Sequence, residues 1–265
     1  MKELIILIPH YNNIEGLYSS IRSIEESFKI DLMVVDDGSK IKPSIIDLKK
    51  NYNQGEIIFE ALPVNQGIES VLNYGLKKIV DLNYKYIGRL DCGDLCHKNK
   101  FLIQLNYLSQ NQDIMLLGTQ VNFIGSENKK ILYKSNLPTT YQKIKKEFYV
   151  NCVIIHPTVV FRTQILNTTG FYPTEYKAAE DYAFFFKILK KYKVENLNEV
   201  LVDVIFDENG ISFKSRKTQI KSKIKIIKDN FYIGFCPIYG ILRNSILLYM
   251  PHSLLILIKK NFFKK

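Results

Sequence analysis

The first hundred residues alternate short apolar runs with segments of helical length, and this alternation constrains the fold more than any other feature of the chain. The apolar runs lie at residues 4–8, 31–35, 57–62 and 86–90. The first segment between them carries an apolar stripe at helical spacing, formed by Leu17, Ile21, Ile24 and Phe28. Alternating strands and helices build right-handed crossovers, in which helices cover both faces of a parallel sheet. We therefore predict an α/β fold with a Rossmann-like, mainly parallel sheet flanked by helices.

Beyond residue 94 the alternation is weaker, and apolar spacing predicts helices at residues 100–110 and 181–192 and a strand at residues 114–119. The chain of 265 residues is 46% hydrophobic and 24% charged, so it can bury a large core. Its four cysteines are too few and too scattered for a disulfide framework. The apolar run at residues 4–8 is too short for an export signal. These features predict a cytoplasmic globular protein.

The positive charge is concentrated at the C-terminal end of the chain. Residues 1–213 carry 25 basic and 25 acidic side chains, whereas residues 214–265 carry 12 basic side chains and one acidic. Apolar residues recur at helical spacing among these basic ones, at Ile220, Ile224, Ile227 and Phe231. We therefore predict one domain at residues 1–213 and an extension of basic amphipathic and hydrophobic helices at residues 214–265. The extension is expected to bind the anionic inner face of the cell membrane peripherally. The alternative is a docked helix pair whose basic face is only solvated.

Polar and acidic residues follow each of the four predicted strands, at residues 9–13, 36–39, 65–67 and 91–94. Ligands of open parallel sheets bind outside the carboxyl ends of the strands, so these four segments are expected to meet in one crevice. Turn formation and helix capping explain any single segment about as well. Two acid pairs in one crevice repel each other, and they become useful when a divalent cation and a phosphate-bearing ligand share the site.

The type of ligand is narrowed by two motifs that the sequence lacks. No G-x-G-x-x-G follows the first strand, and no G-x-x-x-x-G-K-[ST] occurs in the chain. Dinucleotide enzymes and P-loop NTPases are therefore disfavoured. Nucleic acid is disfavoured as a partner because the excess basic residues accompany aliphatic residues instead of lining a groove.

Five motifs in order resemble those of the family 2 glycosyltransferases. They are Ile8-Pro9-His10-Tyr11-Asn12, Val34-Val35-Asp36-Asp37-Gly38-Ser39, Asn65-Gln66-Gly67, Arg89-Leu90-Asp91-Cys92-Gly93-Asp94 and Glu180-Asp181. The resemblance covers about residues 1–212 and implies a GT-A fold, a nucleotide-sugar donor, Mg²⁺ or Mn²⁺ as cofactor, and an inverting transfer. Residues 206–214 resemble the family's loop that closes over the donor, although a plain turn is an alternative.

The resemblance implies donor-side roles for eight residues, namely Pro9, Tyr11, Asp36, Asp37, Asn65, Gly67, Asn73 and Arg89. Pro9 and Tyr11 would line the nucleoside pocket, with the Tyr11 ring stacked on the base. Asp37, with Asp36 behind it, would hydrogen-bond the base. Arg89 would lie near the diphosphate, where a cation suits anionic oxygens, and the alternative for Arg89 is a surface ion pair. The remaining three would lie beside the nucleotide.

The metal motif of the family is altered in this chain. Asp91 matches the first acid of its D-x-D, but Gly93 occupies the second acid position and the next carboxylate is Asp94. Asp91 is the best single candidate for a metal ligand. Asp94 is expected to bind the metal directly, to bind it through water, or only to cap the following helix.

The resemblance also implies the residues on the acceptor side. Asp181 matches the catalytic base, which takes the proton of the acceptor hydroxyl as it attacks the anomeric carbon. The alternative for Asp181 and its neighbour Glu180 is a pair of helix-start acids favoured by the helix dipole. His156 lies in a region that faces the acceptor in similar enzymes, and the alternative there is a satisfied, partly buried histidine.

These features predict an inverting glycosyltransferase that extends a glycan, on a lipid-linked carrier, in surface polysaccharide or oligosaccharide biosynthesis. Two alternatives remain open. A sugar-phosphate nucleotidyltransferase also places acids on a Rossmann-like sheet. However, the resemblance to such enzymes would require a Gly-rich first loop, and residues 9–13 are not Gly-rich. A catalytically inactive partner in a glycan-assembly complex is suggested by Gly93 in the second acid position.

Overall fold

The computed structural model describes residues 2–126, 128–206 and 215–250, and within them nine strands form one mixed sheet. The strands are β1 Lys2–His10, β2 Asp31–Asp36, β3 Ile57–Ala61, β4 Tyr84–Arg89, β5 Leu95–Cys96, β6 Ile114–Gly125, β7 Ile131–Lys134, β8 Val160–Arg162 and β9 Lys193–Phe206. Their order in the sheet is β3-β2-β1-β4-β8-β6-β9-β5, and β7 pairs with β6.

Nine α-helices flank the sheet in the described part of the chain. They are α1 Ile14–Arg22, α2 Ile45–Asn51, α3 Ile68–Asp81, α4 Lys100–Gln110, α5 Tyr141–Glu147, α6 Leu166–Thr169, α7 Glu180–Leu189, α8 Arg216–Asp229 and α9 Phe235–Tyr249.

The first half of the sheet confirms the predicted α/β fold. Strands β1 to β4 pair in parallel in the order β3-β2-β1-β4. Successive side chains of a strand point to opposite faces of the sheet. Ile5 and Leu7 of β1 therefore join a core with residues of α3 and α7, while Ile6 and Ile8 join a second core with residues of α1. Because both faces of β1 are buried, the strand is continuously apolar rather than alternating.

The second half of the sheet is mixed, which explains the weaker pattern in the sequence. Strand β8 runs antiparallel to both β4 and β6, whereas β6 and β9 are parallel. Apolar spacing predicts only residues 114–119 of β6, and the strand continues to Gly125. The added part mixes buried apolar residues, Val121 and Ile124, with polar ones, and the Gln120 side-chain oxygen accepts from Leu137 N and Ser135 Oγ, both at 2.8 Å. Because polar side chains interrupt the apolar ones, this part of the strand does not continue the apolar run that predicts residues 114–119.

The two C-terminal helices are docked on the rest of the protein. Ile226 and Ile227 of α8 are buried in the same core as Phe148 and Phe186, so part of the expected amphipathic stripe faces the protein. No helix among the described residues is long and apolar enough to cross a bilayer. The predicted boundary at 213/214 and most of the predicted donor loop at residues 206–214 lie outside the described residues, as does the end of the chain at residues 251–265.

Candidate active site

The carboxyl ends of β1, β2 and β4 lie side by side because these strands are parallel neighbours. His10 is the register partner of Asp36, and the backbone N–H of Asp37 donates to the His10 carbonyl at 2.8 Å. Asp91 comes two residues after the end of β4. We call this region the strand-end crevice, formed by residues 9–13, 36–39, 65–67 and 91–94.

Asp36 supports the crevice from inside the protein. Its carboxylate accepts from His10 Nδ1 at 2.7 Å and from the backbone N–H of Ser39 at 2.9 Å. His10 Nε2 in turn accepts from the backbone N–H of Asn13 at 3.2 Å, so the ring proton is on Nδ1. Both side chains are fully buried. Asp36 therefore fixes the segment that follows β1 and lies behind Asp37, and His10 is its partner that the sequence analysis missed.

Asp37 accepts hydrogen bonds from the loop that follows β3. Its carboxylate accepts from the Asn65 side chain at 2.9 Å and from the backbone N–H groups of Gln66 at 2.7 Å and Gly67 at 3.0 Å. A carboxylate has about four acceptor positions, so these three bonds leave one, on a residue that is 5% exposed. Gly38, between the two loops, has φ +69°, and a Cβ there would lie 2.4 Å from the Val64 carbonyl carbon. Only glycine allows this approach of the two loops.

The other residues with predicted donor-side roles differ in their exposure. The Tyr11 side chain is half exposed and so is accessible to a base, whereas Pro9 is buried in β1. Asn73 pairs with both backbone groups of Tyr172: its Nδ2 donates to the carbonyl at 2.9 Å and its Oδ1 accepts from the N–H at 2.8 Å. Asn73 therefore holds the segment before α7 against α3.

Arg89 is a buried link between the two sides of the crevice. Its side chain is fully buried, so the surface ion pair considered from the sequence is excluded. It donates to the Leu7 carbonyl, to Asp91 Oδ1 and, at 3.2 Å, to His156 Nε2. His156 Nε2 also accepts from the Tyr172 hydroxyl at 2.8 Å. Burial, with the charge of Arg89, lowers the pKa of His156 to about 3, so this ring is neutral and carries its proton on Nδ1.

His156 matches the satisfied buried histidine that the sequence left as an alternative. Arg89 links His156 to Asp91 by bonding both side chains, and the sequence did not predict this link. Lys100 lies behind this group: it is fully buried, its Nζ lies 3.8 Å from the centroid of the Phe101 ring and donates to the Arg89 carbonyl at 3.4 Å. Burial lowers the pKa of Lys100 to about 8.

The two candidate metal ligands differ in their surroundings. The Asp91 side chain is 36% exposed, with Oδ1 on Arg89. Asp94 is buried, its Oδ1 accepts from the backbone N–H of Ile205 at 2.9 Å, and burial followed by the charge of Asp91 raises its pKa. Asp94 does not cap the following helix, because α4 begins after Asn99. In each of the two carboxylates, Oδ1 thus accepts a hydrogen bond from the protein.

The side chains present at this site fit a hard divalent cation only in part. The described residues contain no group of three or more side chains that would by themselves hold a metal. Mg²⁺ commonly binds through one or two carboxylates together with substrate phosphates and water, and Asp91 with Asp94 fits this mode.

Two acids open helix α7 on the far side of the crevice. Glu180 is buried, and burial together with the charge of Asp181 raises its pKa to about 8. Burial also raises the pKa of Asp181, as does Asp91, whereas the Tyr182 N–H bond and Lys223 lower it. The charge of Asp91 raises the pKa of Glu180 as well. The acids of α7 therefore lie within electrostatic reach of the end of β4.

Helix α8 reaches the surroundings of Asp181, which the sequence did not predict. Lys223 donates to Asn151 Oδ1 at 2.9 Å, and the neighbouring Ser222 hydroxyl donates to the Lys177 carbonyl at 2.8 Å. Residues 151 and 177 lie in the segments before His156 and before α7. Lys223 is one of seven basic residues between positions 214 and 228, so nothing in the sequence distinguishes it.

The chain is similar to glycosyltransferases from other organisms. The chain is 29% identical over 245 residues to the bifunctional glycosyltransferase pgtA of Dictyostelium discoideum, covering 79% of this chain and 32% of that protein. It therefore spans about a third of the length of that relative. It is 27% identical over 211 residues to the UDP-Gal:alpha-D-GlcNAc-diphosphoundecaprenol beta-1,3-galactosyltransferase of Escherichia coli, covering 76% of this chain and 71% of that one.

The fold matches a solved glycosyltransferase structure. S. aureus TarS, residues 1–349, in complex with UDP-GlcNAc superposes with a TM-score of 0.66 at 18% identity, over 92% of this chain and 72% of that one. At this identity the likeness concerns the fold, which is the GT-A fold. The model of the family described as glycosyl transferase family 2 matches residues 5–170, more than half of the chain. The chain therefore belongs to glycosyl transferase family 2.

Proposed function

We propose that this glycosyltransferase is inverting and transfers a sugar from a nucleotide-sugar donor to a lipid-linked glycan acceptor in the synthesis of a surface polysaccharide or oligosaccharide. The observation that carries the proposal is that Arg89 bonds both Asp91, after the end of β4, and His156, whose ring meets the Phe185 ring of α7 at 5.8 Å, so the helix that opens with the two acids lies beside the end of β4. A base and a diphosphate-binding acid are thereby available in one crevice. The solved structure with UDP-GlcNAc and the undecaprenol-linked name of the Escherichia coli relative support the classes of donor and acceptor.

In the proposed reaction, Asp181 takes the proton of the acceptor hydroxyl, and the oxygen attacks the anomeric carbon on the face opposite the leaving nucleoside diphosphate. The configuration at that carbon inverts. Asp37 offers its remaining acceptor position to the base, and the exposed Tyr11 ring stacks on it. Asn65, Gly67 and Asn73 lie beside the nucleotide in this proposal.

Asp91 and Asp94 are proposed to hold Mg²⁺ or Mn²⁺. The chemistry that such an ion supplies when bound is neutralisation of negative charge on the leaving diphosphate. Arg89 holds Asp91 Oδ1 from behind and so orients the carboxylate without entering the crevice itself. Its proposed effect on the diphosphate is therefore exerted through Asp91. His156 and Glu180 form the acceptor side.

Gly93 provides a test of the altered metal motif. A Cβ at Gly93 would have Asn13 Nδ2 as its nearest neighbour at 3.7 Å, so there is space for a side chain, although φ is +107°. We expect Gly93→Asp to bind Mn²⁺ several-fold more tightly than the parent, measured by electron paramagnetic resonance with a nucleoside diphosphate present. Gly93→Ala is the matched control, since it carries the same backbone strain of about 1–3 kcal/mol without a carboxylate. Equal affinities of the two variants would contradict a metal site at this position.

The acceptor is proposed to be reached at the cytoplasmic face of the membrane, to which the protein binds peripherally. The basic and apolar composition of residues 214–265 supports this, since each basic residue near an anionic leaflet contributes about 1 kcal/mol to binding. A lipid-linked acceptor would be presented at the same surface.

The proposed donor class is tested by calorimetry of the purified protein with UDP, GDP, CMP and dTDP sugars, in Mn²⁺, Mg²⁺ or EDTA. We expect heat from one nucleotide class only, and less of it in EDTA. Folded protein that binds no donor would favour the inactive partner suggested by Gly93. Turnover of a nucleoside triphosphate with a sugar phosphate would instead identify a nucleotidyltransferase.

The pH dependence of transfer tests the contribution of Lys223. The proposed base Asp181 must be ionised, so activity should fall as the pH drops through its pKa. Because Lys223 lowers that pKa, Lys223→Met should move this fall to higher pH and leave the high-pH rate unchanged. Lys221→Met, an exposed change on the same helix, should follow the parent profile. A uniform loss at every pH would indicate that Lys223 only holds Asn151 in place.

A further inference from the structure

Helix α9 has a second apolar face that no other described residue covers. Its inner face packs on the core side through buried Pro237, Gly240 and Asn244. Its outer face carries large exposed apolar side chains at helical spacing, at Phe235, Ile238, Tyr239, Leu242, Ile246 and Tyr249. The turn before the helix adds Phe231, Tyr232 and Ile233, and Ile233 is 93% exposed. We call these nine residues the α9 face.

The α9 face is held rigidly rather than hanging from the protein. A Cβ on Gly240 would lie 1.8 Å from the Tyr149 carbonyl oxygen, so the helix backbone is in close contact with that residue. Asn244 Nδ2 donates to the Val150 carbonyl at 3.2 Å, and the Tyr232 ring meets the Tyr149 ring edge-on at 5.0 Å. These contacts account for the inner side of α9, and apart from Tyr232, whose ring edge meets Tyr149, the α9 face has no partner among the described residues.

The neighbouring helix α8 presents positive charge. Exposed lysines recur at helical spacing along it, at Lys217, Lys221, Lys225 and Lys228. Residues 215–250 contain seven basic side chains and one acidic, Asp229, whose carboxylate accepts from the Tyr176 hydroxyl at 2.8 Å. Two copies of this chain meeting through the α9 face would bring like charges together. An anionic lipid surface complements both the lysines and the apolar face.

We infer that the α9 face, with the exposed lysines of α8, is the surface by which this protein binds an anionic bilayer. The aromatic residues of the face suit the headgroup level, where amphipathic rings concentrate. This inference rests on the proposed membrane location and names the residues responsible for it. Helix α9 contacts Tyr149 and Val150, and Lys223 of α8 bonds Asn151. Membrane binding would therefore hold the segment that leads to His156 beside the lipid headgroups.

The inference is tested by flotation of the full chain with vesicles of phosphatidylcholine alone or mixed with phosphatidylglycerol. The parent is expected to float with the mixed vesicles, more weakly at high salt. Ile233→Ser/Phe235→Ser should lose at least about tenfold in binding with unchanged thermal unfolding. Ile41→Ser/Ile131→Ser is the matched control, since both residues are exposed and lie elsewhere. Lys221→Glu/Lys225→Glu should weaken binding to the mixed vesicles only.

A fluorescence measurement locates the contact. The protein has no tryptophan, so a single introduced indole reports on its own position. Phe235→Trp should shift to the blue with mixed vesicles and be quenched by brominated lipid, and Ile131→Trp should do neither.

Two results would overturn the inference. One is parent-like flotation of Ile233→Ser/Phe235→Ser, which would assign binding to residues outside the α9 face. The other is a concentration-dependent dimer that this variant abolishes while vesicle binding persists, which would make the α9 face a contact between copies. Neither assay requires sugar transfer, so failure of the proposed glycosyl transfer and failure of this inference are distinguishable.

Discussion

Replacing Asp181 by Asn is expected to lower kcat by at least about 100-fold, the usual contribution of a general base. The change keeps the size of the side chain and an oxygen for the Tyr182 N–H, so the start of α7 should persist. The loss should appear at every pH, because an amide accepts no proton in this range. A kcat above roughly a tenth of the parent value would be hard to reconcile with a base at this position.

The neighbouring acid supplies the control for this experiment. The pKa of Glu180 is raised to about 8 by burial and by the charge of Asp181, so below that pH it keeps its proton and does not act as a base. Glu180→Gln resembles the protonated acid and should keep most of the activity at neutral pH. If Glu180→Gln were instead the inactive variant and Asp181→Asn the active one, the roles of the two acids would be reversed.

Thermal unfolding of the same variants tests the coupling of the two acids. A carboxyl group whose pKa is raised by folding binds its proton more tightly in the folded state, so its contribution to stability falls as the pH rises from about 4.5 towards 8. Glu180→Gln should remove this alkaline loss. Asp181→Asn should reduce it, since one of the charges that raise the pKa of Glu180 is gone. The inactive variant is therefore expected to be no less stable than the parent at pH 8.

The part of the fold that the sequence predicted is the part built from simple periodicity. Strands β1, β2 and β4 are largely buried on both faces and the edge strand β3 is partly buried, and their continuous apolar runs are visible without a structure. The same strands place residues 9–13, 36–39 and 91–94 at one edge, so the crevice follows from the topology alone. The mixed second half was less visible because polar side chains such as Gln120 support β6 through hydrogen bonds.

What the sequence could not supply is the pairing of polar side chains distant along the chain. Asn73 bonds the backbone of Tyr172, which is 99 positions away, and Arg89 bonds His156 from 67 positions away. Both asparagine and arginine are common surface residues, and only packing shows that this arginine is buried. Lys223 carries the same limitation, because its neighbours on α8 have the same charge and differ only in what they face.

Replacing Asp91 by Asn is expected to lower transfer by about 1000-fold, since the loss of a metal ligand at a developing diphosphate charge is worth several kcal/mol. The amide oxygen can still accept from Arg89, so the buried guanidinium keeps a hydrogen bond but loses its counter-charge. We therefore expect a lower unfolding temperature as well, and binding of Mn²⁺ with a nucleoside diphosphate must be measured on protein shown to be folded. Loss of Mn²⁺ binding in folded Asp91→Asn would support the metal role, and near-normal turnover would contradict it.

Asp94→Asn tests whether Asp94 shares the metal ion with Asp91 or only holds β9 in place. Asp94 is buried and its Oδ1 accepts from the Ile205 N–H, a bond that an amide oxygen can also make. If Asp94 acts mainly by holding β9, its amide variant should bind Mn²⁺ like the parent and lose far less activity than Asp91→Asn. If instead both variants lose Mn²⁺ binding equally, the two carboxylates share the ion. Asp94 would then take the part of the second acid of the motif, whose position is occupied by Gly93.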